Sequence, residues 1–349
     1  HPDERDIYMR AGCMYDVLTQ GPRYPDCVRD HPETVPGLPG PSVLLDAERS
    51  PLNPHWFPLG SVLIYVLVYF RSIIELFTNV TDLEMRYVGR TLSALADVGT
   101  VLLVYVLGRR MYGRGVGLLA AALTALAVIH IQNSHFYRPE TFSLFFTLAS
   151  FWAMLRLVER KRWRDSALLG LLVGLSLAPK VSGLPLVLPV ALAYGYRMLD
   201  SVKSPLAPLS QRGGGTNFTP QAVGKMLAHA ALAGMVALLV FFATMPYALL
   251  DFRAFLGDVA AQANMARHAG LWPFTVQYID TPPFLYQFQQ IAVWGLGLPL
   301  GAVAWVGIPF TAAMALRRRG TRRADLLLLV WVVPSLLLLE SFEVRFQRY

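Results

Sequence analysis

The stretch RYVGRTLSALADVGTVLLVYVLGRRMYG, residues 86–113, decides the fold class. Its centre, 87–108, is an apolar run of the length a helix needs to cross a bilayer, about 20 residues. Arg109, Arg110 and Arg114 follow at once. Basic residues flanking a span mark its cytoplasmic end. Further apolar runs lie at 60–78, 115–132, 138–157, 166–179, 183–199, 226–250, 289–316 and 325–340. The chain has 349 residues, 54% hydrophobic and 15% charged, whereas soluble domains carry about 25% charged residues. The fold class is therefore all-α, a polytopic membrane protein. The net charge of +8 reflects arginines in cytoplasmic links, so nucleic acid is discounted as a partner.

Topology follows from the basic links. Arg160, Lys161, Arg162 and Arg164 form a second one, and Arg317, Arg318, Arg319, Arg322 and Arg323 a third. The Gly-rich stretch 201–224 joins them as a flexible cytoplasmic linker. Segments 133–137, 180–182, 251–288 and 341–349 then fall on the external side. The run 60–78 carries Arg71 and Glu75 four residues apart, which favours a helix lying on the outer surface. An ordinary span is the alternative. The surface reading makes residues 1–58 an external first loop, with 59–349 the helix bundle. Within the loop, 3–19 reads as a short helix with Ile7, Met14 and Val17 inward. The pair 166–179 and 183–199 is short and broken by Pro179, Gly183, Pro185 and Pro189, as in segments lining a cavity.

Polar groups gather on the external side. His1-Pro2-Asp3-Glu4 opens the chain with two adjacent carboxylates. His135, Tyr137, Arg138 and Glu140 lie between two spans, and Lys180 sits at the turn between the two broken helices. Arg345 and Arg348 lie at the end, and Arg90 near the outer end of 87–108. Charges at membrane depth are costly and are functional candidates by default. Transfer of a sugar from a lipid phosphate suits this set. A carboxylate can take the acceptor's proton, and Arg or Lys can stabilise the leaving phosphate. The plain alternatives are solvated carboxylates for Asp3 and Glu4 and headgroup snorkelling for Arg138 and Arg345. Trp56, Phe57, Tyr65, Tyr69, Phe70, Trp272, Phe274, Tyr278, Phe284 and Tyr286 read mostly as an interfacial belt. Cys13 and Cys27 fall in the first loop and are either a disulfide or two thiols. No CxxC or HExxH spacing is present, so no metal ligands are named, and a divalent ion stays open as an accessory.

HPDE at 1–4, SPLNPHWFPLGSVLIYVL at 50–67, the stretch at 86–113 and HIQNSHFYRPETFSLFF at 130–146 together resemble the membrane glycosyltransferases of the GT-C fold. So do PFTVQYIDTPPFLYQFQQIAVWGLGLPLG at 273–301 and FEVRFQRY at 342–349. More narrowly, the chain is similar to the bacterial relatives of dolichyl-phosphate-mannose protein mannosyltransferases and of the lipid A aminoarabinose transferase. The resemblance implies an inverting, multi-pass enzyme of a prokaryotic plasma membrane, with its active site on the external face. A polyprenyl-phosphate sugar is the implied donor and co-substrate, and a protein, lipid or glycan the acceptor. The family's essential acidic motif maps onto Asp3, the implied base, with Glu4 beside it. A second acidic position, often Asp in a His-Phe-Tyr-x-x-Asp setting, maps onto Glu140, here preceded by Arg138-Pro139, and Glu140 and Glu4 are expected to help position the acceptor or donor. The family's basic residue between the fifth and sixth helices maps onto Lys180. With Arg138, Arg345 and Arg348 it makes the expected phosphate site, and His1, His135, Tyr137 and Arg90 are expected to line the substrate. The Arg-Tyr ending leads in the family into a Leu-Pro-rich helix. The chain is thus expected to be a piece of a longer protein, lacking one helix in front and several behind. A transporter or flippase would also use broken helices, but it predicts an inverted repeat that the sequence does not display. A non-catalytic scaffold of the same fold would tolerate loss of Asp3.

Overall fold

The computed structural model describes residues 2–160, 162–202, 220–317 and 320–344, and every regular element among them is helical. The first loop folds into α1 (Pro2–Thr19) and two single turns, α2 (Tyr24–Cys27) and α3 (Pro41–Leu44). The bundle follows with α4 (Val62–Ile74), α5 (Asp82–Tyr112), α6 (Arg114–Ala125), α7 (Val128–Ser134), α8 (Pro139–Arg160) and α9 (Trp163–Leu177). Next come α10 (Val187–Val202), α11 (Pro220–Thr244), the turn α12 (Tyr247–Leu250) and α13 (Phe252–Arg267). The last elements are α14 (Leu285–Gln290), α15 (Leu298–Arg317) and α16 (Arg322–Glu340). Most of the cytoplasmic linker expected at 201–224 lies outside the described residues.

Local sequence explains where these helices start and break. A capping box of Thr81 and Glu84 opens α5, each side chain bonding the other's backbone N–H. At Gly113, φ +105, the chain leaves α5 and turns into α6. Among the described residues four helices, α5, α8, α11 and α15, are long and apolar enough to cross a membrane. Their outward faces carry exposed Leu95, Val98 and Leu102 on α5, Leu238 and Leu239 on α11, and Val306 and Phe310 on α15. Such faces suit lipid as the solvent.

Two expected runs are broken. The run at 115–132 becomes α6 and α7, bent by 62°, with Ala127 extended between them. The run at 289–316 is interrupted by a π turn over Ile291–Gly295 and by Gly297 at φ +84. Pro299 then falls in the first turn of α15, where its missing N–H costs nothing. The run at 60–78 yields α4, 13 residues, about 20 Å long against a core of about 30 Å. It is too short to span upright. Arg71 does pair with Glu75 at 3.1 Å, but it also binds Asp82 at 2.7 Å and is 10% exposed. The surface pair expected there is instead part of a buried network. Two members of the expected aromatic belt, Phe57 and Tyr278, are likewise buried.

α1 packs through Ile7, Ala11 and Met14 onto Leu63, Ile64, Leu67 and Val68 of α4, with Tyr137 in the same core. Arg23 bridges Asp16 at 2.5 Å and Asp82 at 2.6 Å, so the far end of α1 is tied to the head of α5. Gly12 is required there, because a Cβ would lie 2.4 Å from the Asp82 carboxylate. Cys13 and Cys27 form a disulfide with Cα atoms 5.4 Å apart and a sequence separation of 14. Closing a loop of that size is worth about 3 kcal/mol. Reduction should therefore lower the melting temperature measured in detergent, and an unchanged melt would contradict the cross-link.

The bundle has two distinct poles. At one, Arg110 pairs with Glu159, Tyr112 donates to Asp325 at 2.7 Å, and Arg323 pairs with Asp200 at 2.5 Å. The C-termini of α5, α8 and α10 thus meet the N-terminus of α16. The first loop occupies the other pole. Ser50 and Tyr247 share a hydrogen bond of 2.5 Å, Asn53 donates to Asp251 at 2.9 Å, and the Phe57 N–H donates to Asp258 at 2.7 Å. The loop and residues 247–258 are therefore together, away from Arg110 and Arg323.

Candidate active site

Pro2 starts α1 and places Asp3 and Glu4 in its first turn, where carboxylates complement the exposed N–H groups. Their environments differ. Asp3 is half-buried. Glu4 is 2% exposed and clamped. Arg90 donates Nε to Glu4 Oε1 and Nη2 to Oε2, both at 2.8 Å. The backbone N–H of Tyr137 donates to Oε1 at 3.1 Å. Burial by itself would raise the Glu4 pKa, but the Arg90 hydrogen bonds, the Tyr137 N–H and the Arg90 charge outweigh it and hold it below 4.5. Gly89 makes room for this arrangement, since a Cβ there would lie 2.6 Å from the Tyr137 ring. The Tyr137 hydroxyl donates to the carbonyl of Leu63 at 3.0 Å. The acidic motif is thereby fixed to the segment between α7 and α8.

That segment carries the second cluster. Glu140 stands in the first turn of α8. Lys180 Nζ lies 2.9 Å from Glu140 Oε1, and Arg138 Nη2 lies 3.3 Å from the same oxygen. Arg138 Nη1 also donates to Asn133 Oδ1 at 3.0 Å. Lys180 is held by its backbone neighbours. The Gly60 N–H donates to the Pro179 carbonyl at 3.0 Å. A Cβ on Gly60 would sit 1.9 Å from the carbonyl oxygen of Ala178, so only glycine lets the first loop approach so closely.

Glu140, Lys180 and Arg138, far apart in sequence, are thus one buried cluster, joined to Glu4 and Arg90 through Tyr137. Tyr137 contributes its backbone and its packing, being 1% exposed, so its side chain is a core residue and not the exposed lining expected of it. His135 is exposed and turns Nδ1 onto the carbonyl of Ile131 in its own helix. His1, Arg345 and Arg348 lie outside the described residues. A cavity of about 360 Å³ opens beside the acidic motif, lined by Glu4, Arg5, Asp6, Tyr8, Arg86 and Arg90 among others. Asp3, Glu140 and Lys180 are not among its walls. Sequence reasoning missed Arg5, Asp6 and Arg86. Arg86 and Arg90, one helical turn apart at the head of an apolar span, were the available signal. Among the described residues no group of three or more His, Cys, Asp or Glu side chains is placed to hold a metal ion.

Residues 68–209 match the family model of the dolichyl-phosphate-mannose-protein mannosyltransferases. That span includes Arg90, Tyr137, Arg138, Glu140 and Lys180, but not Asp3. No curated protein matches the chain. The crystal structure of the Archaeoglobus fulgidus oligosaccharyltransferase in its apo form superposes with a TM-score of 0.56 at 16% identity, covering 99% of this chain and 44% of that one. The archaeal oligosaccharyltransferase AglB from Archaeoglobus fulgidus, in complex with an inhibitory peptide and a dolichol-phosphate, gives 0.53 at 15% identity, covering 98% and 45%. The chain therefore spans less than half the length of these enzymes. Its helical bundle is the GT-C fold of membrane glycosyltransferases, and the mannosyltransferase family's pattern runs through residues 68–209.

Proposed function

We propose that this chain is the catalytic part of an inverting glycosyltransferase, moving a sugar from a polyprenyl-phosphate carrier to an acceptor on the external face of a prokaryotic plasma membrane. The observation that carries the reading is the clamp between Glu4, Arg90 and the Tyr137 N–H. It fastens the acidic motif to the segment bearing Arg138 and Glu140. Asp3 accepts the proton of the acceptor hydroxyl or amine as that atom attacks the anomeric carbon. The bond from the anomeric carbon to the phosphate oxygen breaks, and the lipid phosphate leaves with both electrons. Lys180 and Arg138 neutralise the charge that develops there. Glu4 serves by position alone. The lipid tail lies along the apolar outer faces of the bundle. The dolichol-phosphate and peptide held by the archaeal enzyme support a lipid-phosphate donor and leave protein, lipid and glycan acceptors to be compared.

The purified protein, reconstituted with a polyprenyl-phosphate sugar, should transfer that sugar. Lys180→Met should raise the donor KM and lower kcat, together reducing kcat/KM by about 100-fold, because the phosphate is charged in both ground and transition states. Donor kinetics unchanged by the substitution would overturn the phosphate site.

A further inference from the structure

Two cations in the second cluster converge on one oxygen. Lys180 Nζ and Arg138 Nη2 both address Glu140 Oε1, at 2.9 and 3.3 Å, while Glu140 Oε2 accepts no hydrogen bond. All three side chains are largely buried, between 6% and 13% exposed. An oxygen between a lysine and an arginine is also the position a phosphate oxygen would take. The three groups together carry one net positive charge. A sugar-phosphate-lipid diester carries one negative charge. The free lipid phosphate left after transfer carries up to two at neutral pH, since the second proton of a phosphate monoester leaves near pH 6. The Glu140 charge repels that dianion more strongly than it repels the monoanionic diester.

We propose that Glu140 is a built-in competitor for the carrier phosphate, lying where a phosphate oxygen will lie and weakening retention of the spent lipid phosphate after transfer. The inference rests on the donor-phosphate reading of Lys180 and Arg138. It departs from the expectation that Glu140 positions the substrate. Glu140 opposes tight product binding and so favours release. Loss of the carboxylate would remove the charge that competes for Lys180 and Arg138 and leave a site that holds its product.

The test measures binding of a polyprenyl monophosphate to the purified protein, with the uncharged polyprenol as control. Glu140→Gln should bind the monophosphate about 10-fold more tightly, and polyprenol as before. Multiple-turnover transfer should then stall while the first turnover persists. Lys180→Met should bind the monophosphate more weakly. If Glu140→Gln leaves monophosphate affinity unchanged or weaker while Lys180→Met still loses it, the competitor role is wrong and the donor site stands. If Lys180→Met also leaves it unchanged, the donor reading falls and takes the inference with it. An equal gain for polyprenol would place the effect in the tail groove and overturn the inference. Glu140→Asp keeps the charge and withdraws it by one methylene, and it serves if the glutamine variant does not fold. It should tighten monophosphate binding by a smaller factor, and an unchanged or weaker affinity would count against the proposal.

Discussion

Asp3→Asn is expected to reduce transfer by about 100-fold or more, with donor affinity and melting temperature unchanged. Asparagine keeps the shape of the side chain and removes its ability to take a proton. The fold should tolerate the change because the neighbouring carboxylate carries the structural load. Glu4, not Asp3, is the residue clamped by Arg90 and the Tyr137 N–H. Asp3 stays half-buried in the first turn of α1, where an acceptor can approach. The measurement is single-turnover transfer with a saturating polyprenyl-phosphate sugar, alongside donor binding and thermal unfolding. Near-normal turnover would remove Asp3 from the base role.

Arg90→Met is expected to destabilise the protein by about 3 kcal/mol and to abolish transfer. Glu4 is 2% exposed, and removing the guanidinium takes away the two hydrogen bonds that Arg90 gives its charge. Arg90 itself is 34% exposed, so water admitted by the substitution softens the penalty and places it at the low end for a broken buried pair. The double variant Glu4→Gln with Arg90→Met should recover part of the loss, since it removes the buried charge that the clamp had served. Denaturant unfolding in detergent reads both numbers. A double variant no more stable than Arg90→Met would place the cost in packing. The clamp also has a sign in pH. The folded Glu4 pKa is depressed below 4.5. Its contribution is complete above that value and disappears as the pH falls through the lower folded value, so acid should loosen α1 from α5.

The sequence made the bundle legible where solvent imposes a pattern. The runs at 87–108 and 138–157 became α5 and α8 because a bilayer demands length and apolarity together. The bend at Ala127 and the break at Gly297 were hidden, since both sit inside runs of unbroken hydrophobicity. Lys180 and Glu140 were individually visible as charges at membrane depth, and topology put them on one side. Their shared oxygen depends on the Gly60 contact with Ala178 and Pro179, which no local pattern announces. Glu4 was the harder case. A carboxylate next to another reads as solvated, and its burial depends on Arg90, 86 positions away. The Arg23, Asp82, Arg71 and Asp16 network was missed for the same reason. Long-range charge pairing leaves no periodicity to read.

The tethers of the first loop also set a schedule for biogenesis. Its partners are separated from it by 133 residues at Tyr137, 197 at Tyr247 and 201 at Asp258. As this stretch is synthesised, α1 leaves the ribosome before any of them. Docking such distant partners carries a loop-closure cost that local helix formation does not. The acidic motif is therefore made before Arg90 and Tyr137, the residues that seat it, and the rest of the first loop before its partners at 247–258. Until residues 247–258 have been made, Ser50, Asn53 and the Phe57 N–H lack the side chains that hold this part of the loop in the folded protein.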